Sequence, residues 1–197
     1  MSVRAPRPPV AGLLLAAGAG RRFGMPKALV RHRGALLVES AAAVLADGGC
    51  SPVIVVLGAC AEEVAEKKSE LAGVRTLVND DWPTGMGSSL RHGLDALAGD
   101  PELAAALILP VDTPGITAAA VRRVAAFASP SALVQASYSD VRGHPVLIGR
   151  DHWAGVREVA VEDRGARDYL KSHVVAEIPC EDIADGTDAD RPEDLPD

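Results

Sequence analysis

Cysteine is scarce in this 197-residue chain, and Cys50, Cys60 and Cys180 are odd in number and follow no ligand spacing. That excludes a disulfide framework or a thiolate metal centre and predicts buried, reduced thiols. No apolar run is long enough to span a membrane. No secretory leader is evident either, since Arg4 and Arg7 flank prolines and the apolar run after them breaks at Gly18. The expectation is a cytoplasmic protein without a membrane partner. Positive charge is in deficit, with 20 Lys and Arg against 27 Asp and Glu and a formal net charge of −7. Non-specific nucleic-acid binding is thereby excluded. Aromatic residues make up only 3% of the chain, and the 48% that is hydrophobic is mostly Ala, Val and Leu. This length suits one domain with a single sizeable core. There are no internal repeats, no low-complexity linker and no G-x-S-x-G nucleophile motif.

What is present is concentrated early. Leu13-Leu14-Leu15-Ala16-Ala17-Gly18-Ala19-Gly20 is an apolar run ending in small residues, and Arg21, Arg22 and Lys27 follow. A buried strand that delivers a loop almost free of side-chain bulk lets backbone N–H groups approach a phosphate chain. The cations then neutralise it. A Walker A loop fails on spacing, because Gly20 and Gly24 are too close and Ala28 follows Lys27. The G-x-G-x-x-G dinucleotide fingerprint also fails, because Phe23 stands at the sixth position and the glycine comes one later. Arg21, Arg22, Lys27, Arg31 and Arg33 crowd into thirteen residues of an acidic protein. Their mutual repulsion predicts an anion among them.

Along the chain, apolar β-branched runs at 10–16, 52–57, 74–78, 105–109 and 132–136 alternate with helical patterns at 36–46, 61–71, 88–97 and 117–127. Strand and helix in alternation predict an α/β fold, a three-layer α/β/α sandwich with a mostly parallel sheet and right-handed crossovers. Ligands bind such sheets at the carboxyl ends of the strands. The first loop and Asp112 both fall there. Residues 1–9 read as disordered. Residues 10–197 read as one domain, with a nucleotide-binding part over about 10–137 and an acceptor-side part over about 138–197. In the latter, 143–148 and 174–178 read as strands, 151–156 and 166–172 as short helices, and 181–197 as a largely extended acidic tail.

Among single residues, Arg22 and Lys27 are triphosphate clamps, one a rigid donor fork and the other a compact charge. Arg21 reads as a solvated surface arginine. Asp112 follows Leu107-Ile108-Leu109 and can coordinate Mg²⁺ through oxygen. Helix capping falls more naturally to Thr113 or Thr117. Ser88 and Ser89 open a helix and could cap it, and Trp82 reads as core by default. His144, between Gly and Pro, reads as a positioning residue.

Leu15-Ala16-Ala17-Gly18-x-Gly20-x-Arg22-x-Gly24-x-Pro26-Lys27 resembles the signature of MobA-like nucleotidyltransferases, closest to the molybdenum cofactor cytidylyltransferase branch. Phe23 replaces the usual Met. Further stretches resemble later blocks of that branch: Asn79 to Leu94, Pro110-Val111-Asp112-Thr113-Pro114, Gly143-His144-Pro145, Asp163 to Arg167, and Asp188 to Leu195. The resemblance implies a Rossmann-like nucleotidyltransferase fold and Mg²⁺ as cofactor. It implies nucleotide contacts from Leu15, Ala16, Ala17, Gly18, Gly20, Arg22, Lys27, Asn79, Gly85 and Ser89, and acceptor contacts from His144 and Arg167. Arg22, Lys27 and Asp112 would be catalytic. A second metal carboxylate would come from Asp190, with Asp188 as the alternative. Arg191, where the family has Thr, weakens that choice, and one residue of separation in an extended segment puts both aspartates on one face.

The reaction so implied moves CMP from CTP to a phosphate acceptor, molybdopterin by resemblance, and releases pyrophosphate. Ala17 stands where guanylyl-transferring relatives have Gly, which favours CTP. Rival readings are a GTP-using or sugar/polyol-phosphate enzyme, a non-catalytic nucleotide-binding regulator, and an oxidoreductase. The intact Arg22, Lys27 and Asp112 oppose the regulator, and the glycine spacing opposes the oxidoreductase.

Overall fold

The computed structural model describes residues 8–66 and 73–196. In chain order the elements are β1 (Val10–Ala16), β2 (Arg31–His32), β3 (Ala35–Leu36), α1 (Leu37–Asp47), β4 (Val53–Leu57), α2 (Ala61–Glu66), β5 (Arg75–Val78), α3 (Met86–Ala98), β6 (Ala105–Pro110), α4 (Ala118–Ala125), β7 (Leu133–Tyr138), β8 (Val141–Gly149), α5 (Trp153–Val159), α6 (Arg167–Lys171) and β9 (Ala176–Pro179). Seven strands form one sheet in the order β5-β4-β1-β6-β8-β7-β9. Every residue of β1 is buried, because parallel neighbours β4 and β6 flank it on both edges. A strand covered on two faces and two edges reads as a continuous apolar run.

Alternation sends successive side chains to opposite faces. Leu14, Val55, Leu107 and Leu147 pack in one cluster with Val38, Leu45, Val121 and Val124 of α1 and α4. Leu13, Ile54, Ile108 and Ile148 pack in another with Leu90, Leu94 and Leu97 of α3, Trp153 of α5 and Leu170 of α6. The three-layer sandwich is therefore formed. Leu90, Leu94 and Leu97 recur at helical spacing, and Gly93 between them lets α3 lie close on β1, since a Cβ there would meet the Leu13 side chain at 2.4 Å. Thr117 caps α4 by accepting from the Ala120 amide at 3.3 Å.

The sheet departs from simple alternation in its second half. β8 lies between β6 and β7 and is antiparallel to both. The cause is a two-residue turn: Ser139 and Asp140 both have positive φ, 48° and 66°, and such a turn reverses the chain at once. Arg33 and Gly34 make a second such turn between β2 and β3, a hairpin just before α1 to which the sequence reading gave no element. β9 returns parallel to β7 at the far edge. Residues 1–7 of the expected disordered N-terminus, residues 67–72 of the expected second helix and Asp197 lie outside the described residues. All three cysteines are free and buried, and burial pushes the Cys50 thiol up to about 12. No helix among the described residues is long and apolar enough to cross a membrane.

Candidate active site

The sheet order reverses between β1 and β6, with β4 on one side and β8 on the other. Open α/β sheets bind ligands in the crevice at that point. Here a cavity of about 390 Å³ opens there. The first loop forms its floor. Gly20 has φ +61°, and a Cβ on it would lie 1.8 Å from the Met25 carbonyl oxygen, so the tight turn requires glycine. Its carbonyl accepts from the Gly24 amide at 2.9 Å. Pro26 then leads into a single 3₁₀ turn that carries Lys27.

Lys27 is the centre of the site. Its Nζ donates to Asp112 Oδ2 at 3.0 Å and to Asp190 Oδ1 at 2.9 Å, and its side chain is only 12% exposed. Arg22 donates to Asp190 Oδ2 at 2.6 Å from a far more open position, 78% exposed. Burial works against the Lys27 charge, but the hydrogen bonds and fields of Asp190 and Asp112 outweigh it and raise its pKa above the ordinary lysine value. The same hydrogen bond, helped by the Lys27 charge and by Arg22, holds Asp190 below the usual carboxylate range. The anion expected among the clustered cations is thus supplied, for Arg22 and Lys27, by the chain itself.

Leu15, Ala17, Gly18, Gly20, Arg22, Lys27, Gly85, Ser89, Asp112 and Asp190 all line this cavity. Two expected nucleotide residues do not. Ala16 points to the opposite face of β1 and is buried in the core cluster there, as strand alternation requires. Asn79 is buried behind the wall, where its Nδ2 donates to Ser88 Oγ at 2.9 Å and to Ser89 Oγ at 3.0 Å. It positions those hydroxyls. Neither serine caps α3. The one Ser88 hydroxyl proton is shared between the Gly85 and Asp81 carbonyls, whereas among the described residues the Ser89 hydroxyl accepts and donates to none. Arg21 is exposed as expected, yet it reaches the rim. Trp82 is not core. It is half-buried and forms part of the wall, with Met86 and Asp163, residues the sequence reading did not assign. A Cβ on Gly58 would meet Trp82 at 2.6 Å, so Gly58 is what seats that ring.

A second cavity of about 490 Å³ adjoins the first. Leu15, Met86, Pro110, Asp112 and Asp163 line both. His144 and Arg167, the expected acceptor residues, line the second. Burial lowers the His144 pKa, against the Ile108 carbonyl and the Asp112 charge, which pull it up. Its Nδ1 is buried without a partner, and the Tyr138 hydroxyl holds its backbone by donating to the His144 carbonyl at 2.7 Å.

The acidic tail is strapped back across the site. Ala189 is fully buried, and its amide donates to the Asp112 carbonyl at 2.8 Å. Asp190 then faces the first cavity and Asp188 the second. The segment is irregular rather than pleated, so the expected single shared face does not form. Arg191 lies 3.8 Å from Glu193, and the Asp190 carboxylate pairs with Arg22 and Lys27. Asp194 instead fixes the turn, accepting from the Asp190 and Arg191 amides at 3.0 and 2.8 Å. Among the described residues no group of three or more His, Cys, Asp or Glu is arranged to hold a metal. The Asp112 and Asp190 carboxylates, however, converge on one ammonium. That is a hard-oxygen donor pair of the kind Mg²⁺ uses with water and phosphate oxygens completing its shell.

A family model described as the MobA-like NTP transferase domain matches residues 12–178. Nicotine blue oxidoreductase from Paenarthrobacter nicotinovorans is 39% identical over 198 residues, covering 95% of each chain. A solved homologue of Mycobacterium tuberculosis Rv0371c, from Mycobacterium sp. strain JC1, is similar at TM-score 0.75 and 31% identity, covering 88% of this chain and 87% of that one. The inositol-1-phosphate CTP transferase from T. maritima shares the fold at TM-score 0.71 and 17% identity, over 96% and 92% of the two chains.

Proposed function

The chain belongs to the MobA-like NTP transferase family, and from that premise we propose that it is a Mg²⁺-dependent cytidylyltransferase acting on a phosphate-bearing acceptor, molybdopterin by its motifs. The observation that carries this reading is the pair of adjoining cavities that share Asp112. A group transfer between two substrates needs two compartments that meet at the reacting atom. CTP lies in the first, with its phosphates over Gly18 and Gly20. Arg22 holds the β- and γ-phosphates. Lys27 leaves its carboxylates and stabilises charge growing on the transferring phosphoryl group. Asp112 and Asp190 would hold the divalent ion, which supplies charge neutralisation when bound. A phosphate oxygen of the acceptor, entering from the second cavity, attacks the α-phosphorus in line. The new P–O bond forms as the bond to the β-phosphate oxygen breaks, and pyrophosphate leaves. The Ala17 methyl narrows the space for a base, and the free Ser89 proton suits an acceptor atom on a cytosine edge. Incubation with CTP or GTP, Mg²⁺ and molybdopterin or sugar phosphates, followed by pyrophosphate release, tests it. Equal or greater kcat/KM with GTP would overturn the base assignment.

One observation favours a second reading. A curated relative that matches over 95% of its length is named nicotine blue oxidoreductase. The glycine spacing argues against one dinucleotide loop, not against redox chemistry itself. Reduction of nicotine blue matched by oxidation of an added reduced nicotinamide cofactor, without pyrophosphate release, would select that reading instead.

A further inference from the structure

The second cavity carries a charge pattern that the transfer chemistry alone does not require. Its wall is apolar along Leu90, Ile108, Val146, Ile148 and Leu170, and four cations stand around it. Arg142 is neutralised by Glu177 at 2.6 Å, and Arg164 by Asp168 at 2.9 Å. Among the described residues Arg167 and Lys171 have no ion pair and no side-chain hydrogen bond, although both line the same space. They stand one helical turn apart on α6, so their side chains share a face and repel. Solvated cations on an outward surface would need no explanation. These two border a cavity of about 490 Å³, and in the same cavity His144 keeps a buried Nδ1 without a partner. Asp112, Asp163 and Asp188 line the cavity as well. Arg167, Lys171 and the orphaned His144 Nδ1 around an apolar trough describe a ligand: a body that stacks on the trough, one polar atom within reach of the imidazole, and a negative charge beside α6.

We propose that Arg167 and Lys171 clasp a second oxyanionic group of the acceptor, distinct from the phosphate that reacts at Asp112. The acceptor class is then a phosphate monoester with a flat or branched apolar body and an oxyanion at its other end. This rests on the transfer reading above. The clasp answers to charge, so the two cations act together, and their effect weakens as salt rises.

The probes are 1-naphthyl phosphate and its analogue bearing a ring carboxylate opposite the phosphate, with binding followed by calorimetry on the full chain. The wild-type protein binds the carboxylate-bearing probe about tenfold more tightly, as expected for charge-assisted contacts at a cavity mouth. Arg167→Gln/Lys171→Gln binds both probes alike, and raised salt shrinks the wild-type preference. Both side chains are exposed, so the double variant keeps the wild-type thermal melt. A wild-type protein without preference, or a double variant that retains it, overturns the clasp. CTP binding by the wild-type protein is measured separately. Its absence would overturn the transfer reading and leave the probe result standing.

Discussion

The two cavities each present a pair of cations, and the two pairs are treated differently. In the first, Arg22 and Lys27 are met by carboxylates of the chain itself, Asp190 and Asp112. In the second, Arg142 and Arg164 are paired, but Arg167 and Lys171 are met by no carboxylate among the described residues. The difference matches what each compartment would receive. A triphosphate arrives with a divalent cation, so the incoming pair is largely balanced, and an internally balanced cradle exchanges one set of ion pairs for another. An acceptor with a bare oxyanion would bring no counter-charge, and the cavity proposed to take it offers two open cations. Lys27 marks the point where the first arrangement must be undone, because its ammonium occupies the space between the two carboxylates proposed for the metal.

Breaking the balance at its centre gives the largest effect. Lys27→Ala is expected to lower pyrophosphate release by about 10²–10³-fold with the circular dichroism spectrum unchanged, the usual cost of losing one preorganised charge contact. Arg22→Ala, on a far more open side chain, costs less. Near wild-type kinetics in Lys27→Ala would remove the first loop from the reaction.

Next come the carboxylates. Asp112→Asn and Asp190→Asn should raise the Mg²⁺ concentration needed for half-maximal rate by about tenfold or more, and Asp188→Asn, which faces the other cavity, by much less. The comparison makes a sharper claim. Asp190→Asn also removes the carboxylate partner of Arg22 and one of the two carboxylate partners of Lys27, so metal-free pyrophosphate should bind this variant more tightly than the wild type in calorimetry. Weaker metal-free binding would mean that the internal pairs organise the cradle rather than occupy it.

A smaller effect is expected at Ala17. Ala17→Gly should shift the CTP to GTP ratio of kcat/KM toward GTP by several-fold, within the roughly 10–200-fold that a methyl-sized change can yield. The smallest is in pH dependence. The folded-state pKa of Asp190 is depressed, chiefly by its Lys27 hydrogen bond. Its contribution to holding the tail is therefore present above the ordinary aspartate range and is lost as pH falls through the depressed value. Hydrogen exchange at the Ala189 amide should stay protected at pH 5 and open only in stronger acid. Loss of protection near neutrality would exclude Asp190 as the anchor.

Much of the first cavity is legible in the sequence because its chemistry is local. A buried strand, a glycine-pinned turn and three cations lie within fifteen residues, Leu13 to Lys27. The sandwich is legible for a similar reason, since strand and helix periods differ. What resists reading depends on long-range packing. Nothing in Ser139-Asp140 signals a two-residue hairpin, because the positive-φ positions carry no glycine or asparagine. The antiparallel insertion of β8, which builds the second cavity, is hidden with it. Asn79 sits among motif residues yet works from behind Ser88 and Ser89. Asp188 and Asp190 separate only because Ala189 is buried against Asp112.

That last attachment also sets a schedule. Lys27 and Asp112 are 85 residues apart, and Asp190 lies 163 residues beyond Lys27. A chain growing on the ribosome can form β1, its loop and most of the sheet from residues already made. Until residue 190 has been added, however, the second carboxylate does not exist. Translation thus finishes the scaffold well before it completes the charge pattern, and a product truncated within the acidic tail would retain most of the sandwich while lacking one of the two carboxylates proposed to hold the ion.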